Sequence, residues 1–187
     1  MIHFDKVSFG YTRGRDVLRD FSMSIPPQGR ICLFGRSGCG KSTVLRLAMG
    51  LEKPRSGRIT GIEGLAVSAV FQEDRLLPWK TILENAALFA QRDRAEDILT
   101  QLGLAEVLHS LPAELSGGMK RRAALGRALS HASDLLILDE PFTGLDEETR
   151  ERVIALVDRE ARDRMVLLAT HDLQEAQALG AEIVQLQ

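Results

Sequence analysis

Gly35-Arg36-Ser37-Gly38-Cys39-Gly40-Lys41-Ser42-Thr43 limits what this chain can fold into more than any other stretch. Gly35 and Gly40 stand with four residues between them, and Lys41 and Ser42 follow at once, which is the pattern of a phosphate-binding loop. The flanks agree with it. Ile31-Cys32-Leu33-Phe34 is a short apolar run of buried-strand type, and Val44 to Met49 continues as a helix closed by Gly50. Glycines let successive backbone N–H groups turn inward around a polyphosphate at the start of a helix. Lys41 is then expected to neutralise the β- and γ-phosphates, and the Ser42 hydroxyl to ligate the accompanying Mg²⁺.

Composition limits the rest. With 187 residues, 44% hydrophobic and 27% charged, the chain has the length for one well-buried core, so a single domain over 1–187 is expected. A formal net charge of −2 gives no overall pull toward nucleic acid or anionic lipid. No apolar run approaches the roughly 20 residues of a membrane span, and the N-terminus lacks a basic-then-apolar secretion signal, so a cytoplasmic protein is expected. Cys32 and Cys39 have neither the number of a disulfide framework nor metal-ligand spacing, and read as small residues in tight places.

In chain order, Ile2 to Phe9 and Phe21 to Ile25 read as N-terminal strands, and Arg58 to Thr60 with Val67 to Phe71 as a short hairpin around Gly61 and Gly64. Tyr11 is either a packing residue or an aromatic face for adenine. Gln72 to Trp79 reads as an ordered loop. A helical insert over about 73–130 follows, with capping boxes at Thr81/Glu84 and Asp93/Glu96 and a further helix capped by Ser116. Lys120, Arg121 and Arg122 put three cations in the first turns of that helix, where the dipole favours anions. Two readings stay open: a solvated basic face, or a second phosphate-binding element at Ser116-Gly117-Gly118.

Leu135 to Leu138 is a buried strand that ends in Asp139-Glu140, and Met165 to Ala169 is another that ends near His171. Ligands of open α/β sheets bind at the carboxyl ends of the strands. If these strands run parallel with that of the phosphate loop, Lys41, Asp139, Glu140 and His171 share one edge. Asp139 is then expected at Mg²⁺ and Glu140 at the attacking water. Asp172 and Glu175 read as a last capping box.

The ordered set resembles the ATP-binding cassette (ABC) ATPases: phosphate loop at Gly35 to Thr43, glutamine loop at Gln72, signature at Leu115 to Met119, acidic strand end at Asp139-Glu140, Asp-containing loop at Thr143 to Asp146, histidine at His171. The resemblance runs nearly end to end. It implies an α/β fold: a P-loop core with a mainly parallel sheet, an N-terminal antiparallel β part and a small helical subdomain. It also implies two chains closing head to tail, with ATP on one phosphate loop contacted by Ser116, Gly117 and Gly118 of the other. In that arrangement Tyr11 stacks on adenine, Gln72 senses Mg²⁺ and the attacking water, and His171 contacts the γ-phosphate. The partner implied is an integral membrane permease, which holds the chain on the inner face of the membrane.

The wording Phe71 to Trp79 and the signature ending in Met119 are most similar to bacterial importers for nitrate, sulfonate or taurine. The chain departs from the usual cassette in its short hairpin after Gly57, its small insert, its stop at Gln187, and Arg121 where many members have glutamine. A soluble, non-transport cassette ATPase acting as a mechanical switch is the alternative. A small-molecule kinase on the same loop leaves Ser116-Gly117-Gly118 without a role.

Overall fold

A computed structural model describes residues 1–12 and 14–186, so Gln187, the expected stop, lies outside the described residues. β1 (Ile2–Phe9) pairs antiparallel with β2 (Leu18–Ile25) on one side and β4 (Ser56–Thr60) on the other. β3 (Arg30–Phe34), β5 (Val67–Val70), β6 (Leu135–Asp139), β7 (Met165–Thr170) and β8 (Glu182–Gln185) form a parallel sheet in the order β5-β6-β7-β3-β8. The antiparallel part and the parallel sheet are both as expected. β4 and β5, however, are not a hairpin. Phe4 faces Ile59 across the first sheet while Val67 faces Leu135 across the second, so the chain changes sheets between them. Asp134 fixes the arrival of β5: its carboxylate accepts from Ala66 N at 2.8 Å, and its own N–H donates to Ala66 O at 2.8 Å.

Every residue of β6 and β7 is buried, as expected for strands covered on both faces. Alternation divides their side chains. Leu136, Leu138, Val166 and Leu168 face the helices, and Leu135, Ile137, Leu167 and Ala169 face α1 (Lys41–Ala48) and the antiparallel sheet.

Over the helical side lie α2 (Ile82–Ala86), α3 (Arg92–Gln101), α4 (Gly117–Ser130) and α5 (Glu147–Glu160). The Thr81/Glu84 capping box is present, and Ser116 and Asp146 cap α4 and α5 through their side chains. The other two boxes need correction. α3 begins after Gln91, which leaves Asp93 inside its first turn, where its charge suits the dipole but its side chain is no cap. Asp172 does cap α6 (Leu173–Ala178), but Glu175 turns inward and accepts from Thr170 Oγ1 at 2.5 Å.

α3 and α4 meet at Gly126. A Cβ there would lie 2.6 Å from Leu99 Cδ2 and 3.3 Å from Leu102 Cδ1. Gly126→Val should therefore overpack this contact and cost about 1–3 kcal/mol. At about 2–4 °C per kcal/mol for a chain of this size, calorimetry resolves that loss, and an unchanged melting temperature would mean the helices part freely.

Candidate active site

β7 lies between β3 and β6, with Thr170 opposite Phe34 and Ala169 opposite Asp139. The three strands therefore end at one level. The phosphate loop leaves β3, Glu140 follows β6 and His171 follows β7. Lys41, Ser42, Asp139, Glu140 and His171 line one cavity of about 350 Å³, joined by Gln72, Tyr11, Thr43 and the loop residues Ser37, Gly38 and Gly40. Gly35, Arg36 and Cys39 do not line it. A Cβ on Gly35 would lie 2.6 Å from Leu186 O and 2.7 Å from Cys39 Sγ, so only glycine lets the chain pass there.

Gly40 caps α1 with φ at 104°, a left-handed conformation that favours glycine, and offers no side-chain oxygen to the helix. The first N–H groups of α1 thus stay available to an anion. Lys41 Nζ donates to Gly35 O at 2.7 Å and to Arg36 O at 3.4 Å, so its ammonium is held within the loop.

Asp139 is buried, and burial pushes its carboxyl above the usual range, opposed by the neighbouring Ser42 hydroxyl and the charges of Arg121 and Lys41. Glu140 has φ at 48°, which costs a non-glycine residue about 1–2 kcal/mol. Its N–H donates to Ala169 O at 2.8 Å, and its Oε2 lies 2.8 Å from His171 Nδ1. The turn at His171 is anchored from below by Thr170, fully buried and bonded to Glu175, whose carboxyl burial pushes up against the pull of that same bond. Tyr11 is 54% exposed, with its hydroxyl 3.3 Å from Thr43 Oγ1 and its ring edge-on to Phe9. Cys32 is a core residue whose thiol burial pushes up to about 11.

A second cavity of about 500 Å³ is lined by Gly117 and Gly118 and shares Ser37, Gln72, Glu140 and His171 with the first. Ser116 lines neither; its hydroxyl accepts from Met119 N at 3.3 Å. In the basic run that follows, Arg121 and Arg122 do not form a solvated face. Arg122 donates to Leu102 O at 2.7 Å, and Arg121 is buried among backbone carbonyls of its own chain. Long side chains carry these two charges away from the helix start, which eases the conflict with the dipole.

Sequence reasoning missed Val17, which lines the cavity beside Gly40, and Arg46, which donates to Tyr11 OH at 3.3 Å. Neither carries a pattern. The burial of Arg121 did leave a signal: it stands four residues before Leu125 and seven before Ala128, on the apolar stripe of α4.

Residues 18–143 match the sequence model of the family described as ABC transporter. The chain is 46% identical over 182 residues to the aliphatic sulfonates import ATP-binding protein SsuB of Burkholderia ambifaria, covering 92% of this chain but 57% of that protein. It is 42% identical over 195 residues to SsuB 1 of Rhodococcus jostii, covering 100% of this chain and 80% of that protein. The described fold superposes with TM-score 0.90 and 27% identity on the dimeric post-hydrolysis structure of the ATP-binding cassette MJ0796 bound to ADP and Pi, covering 100% of this chain and 94% of that one.

Burial of Asp139 makes a stability prediction. Its folded-state pKa lies above the unfolded one, so the native state carries a penalty once the pH is above both values, and none when it is below both. Asp139→Asn, without nucleotide, should therefore melt higher than wild type at neutral pH, and the gap should close as the pH falls through the carboxylate range. A variant that melts lower at neutral pH would mean that the polar and charged neighbours of the carboxylate outweigh its burial.

Proposed function

We propose, from the premise that this chain belongs to the ABC transporter family, that it is an ATPase domain over 1–187 whose hydrolysis of ATP energises a bacterial importer. One observation carries the reading. Lys41, Ser42, Asp139, Glu140 and His171 leave three adjacent parallel strands and meet in one cavity at the amino end of a helix.

The donor set fits Mg²⁺ with a polyphosphate. Ser42 and Asp139 are two hard oxygen donors side by side, and magnesium usually takes one or two protein oxygens with substrate phosphates and water for the rest. When bound, Mg²⁺ supplies charge neutralisation at the phosphate oxygens. The chain's own residues do the remainder. Lys41 turns from the loop carbonyls to the β- and γ-phosphates, and the free N–H groups of α1 bind phosphate oxygens. Glu140 orients the attacking water, Gln72 reports its presence, and His171, hydrogen-bonded to Glu140, faces the γ-phosphate. Tyr11 offers adenine a stacking face.

Ser116, Gly117 and Gly118 act on the nucleotide of a second copy in a head-to-tail dimer. The dimeric form of the similar MJ0796 cassette supports association of two copies. Cargo of the sulfonate class is supported by the names of the relatives and by the glutamine-loop wording.

Among the described residues no helix is long and apolar enough to cross a membrane. The partner we propose is a membrane permease on whose inner face the chain sits. Trp79 is 71% exposed beside Pro78, on a loop that Asn85 holds rigid: its Nδ2 donates to Leu77, Lys80 and Thr81 carbonyls at 3.0–3.1 Å and its Oδ1 accepts from Leu77 N at 2.8 Å. An exposed tryptophan on a stiff loop suits an interface anchor better than a core position.

Glu140→Gln should bind ATP without turnover and accumulate an ATP-dependent dimer, read by phosphate release and by size exclusion with ATP and Mg²⁺. Wild-type turnover would remove Glu140 from the reaction, and a strictly monomeric variant would count against the dimer. For the permease, Trp79→Ala should leave basal hydrolysis within a few fold of wild type while co-purification with the membrane subunit is lost. Intact co-purification together with a lowered melting temperature would make Trp79 a packing residue.

A further inference from the structure

Arg121 lies on the buried stripe of α4, with only 5% of its side chain exposed. A guanidinium in such a place is destabilising unless its N–H groups all find acceptors. Here they do. Nε donates to Pro141 O at 3.1 Å, and Nη2 donates to Asp139 O at 2.6 Å and to Glu140 O. Nη1 donates to Phe71 O at 2.5 Å, to Gln72 O at 3.4 Å and to Asp74 Oδ1 at 3.2 Å.

These acceptors belong to two separate segments. One is the end of β6 with the turn after it, which carry Asp139 and Glu140; the other is the loop after β5 that carries Gln72. No strand pairing joins the two, because the ladder of β5 with β6 ends at Val70 and Leu138. Beyond that point the planar fork of a single guanidinium spans both main chains. Glu140 also needs holding, since its backbone is left-handed and persists only where its surroundings over-determine it. Ala169 O holds its N–H and Arg121 holds its carbonyl.

We propose that Arg121 is a positioning residue that sets the spacing between Gln72 and Glu140, and so acts on hydrolysis through them; it borders the second cavity beside Gly117 and Gly118 but not the cavity that holds Lys41. The inference rests on the ATPase reading for its effect on turnover, but the clamp itself, being contacts within one chain, does not. Asp74 completes it as the one carboxylate on the fork. Lysine cannot replace the arginine, because an ammonium is a point donor and does not reach both segments in one plane.

The test compares wild type, Arg121→Lys and Asp74→Asn. Arg121→Lys should lose at least about tenfold in kcat, since misplacement of order 1 Å can cost 100-fold, while the KM for ATP stays within about threefold because the phosphate loop is untouched. Asp74→Asn keeps the carbonyl contacts and should lose less, in the same direction. In nucleotide-free protein, amide exchange over 71–76 and 140–145 should quicken in both variants, with β1 and β2 unchanged. Should Arg121→Lys fail to fold, Asp74→Asn, whose side chain is 27% exposed, carries the same comparison.

Unchanged exchange at both segments would overturn the clamp. So would a kcat equal to wild type with exchange quickened, or a rise in KM without a fall in kcat. A wild type that hydrolyses no ATP would sink the ATPase reading instead, and exchange alone would then decide the clamp.

Discussion

The parallel pairing of β7 between β3 and β6 is the interaction on which the rest depends. Its ladders set Thr170 beside Phe34 and Ala169 beside Asp139, so three chain segments leave the sheet at the same height. A slip of one residue in either ladder would turn every side chain of a strand to the other face and part the carboxylates from the lysine. The register is pinned by two apolar layers, with Leu136, Leu138, Val166 and Leu168 on one face and Leu135, Ile137, Leu167 and Ala169 on the other. Core packing and site geometry are therefore a single constraint.

What the sequence made legible is local or strand-terminal. The phosphate loop is contiguous, and Asp139-Glu140 and His171 each end a run of apolar residues, so parallel strands were enough to bring them together with Lys41. The division of β4 and β5 between two sheets was not legible, because two short strands with glycines between them have the same pattern as a hairpin; the difference lies in the distant partners Phe4 and Leu135. Glu175 was misread for a related reason. An Asp with a Glu three residues later matches a capping box, but a buried hydroxyl at Thr170 competes for the carboxylate and wins it. The places of the Arg121 and Arg122 charges were not legible either, because a sequence pattern locates Cα positions, whereas guanidinium groups act several ångströms away.

The features that look least favourable in isolation lie at the same strand ends. Asp139 is a buried carboxylate, Glu140 has left-handed backbone, and α1 opens on a glycine with no capping side chain. Local rules are expected to break where a site requires it. Each of these three breaks leaves something free: a charge against Ser42, a carboxylate turned to His171, and a row of N–H groups. The fully buried β6 and β7 supply the stability that offsets them.

Burial alone does not fix the segments beyond the sheet, and here polar contacts take over from apolar ones. Past Val70 and Leu138 the backbones of the glutamine loop and the acidic turn have no ladder between them, and their carbonyls must find donors inside the protein or remain unpaired. An arginine reaching from α4 satisfies five of them at once. An apolar residue there could fill the space but would leave those carbonyls without donors. The helix that begins at Ser116 is thus joined to Gln72 and Glu140 through one side chain. Any shift of α4 must move both of those residues together or break the fork.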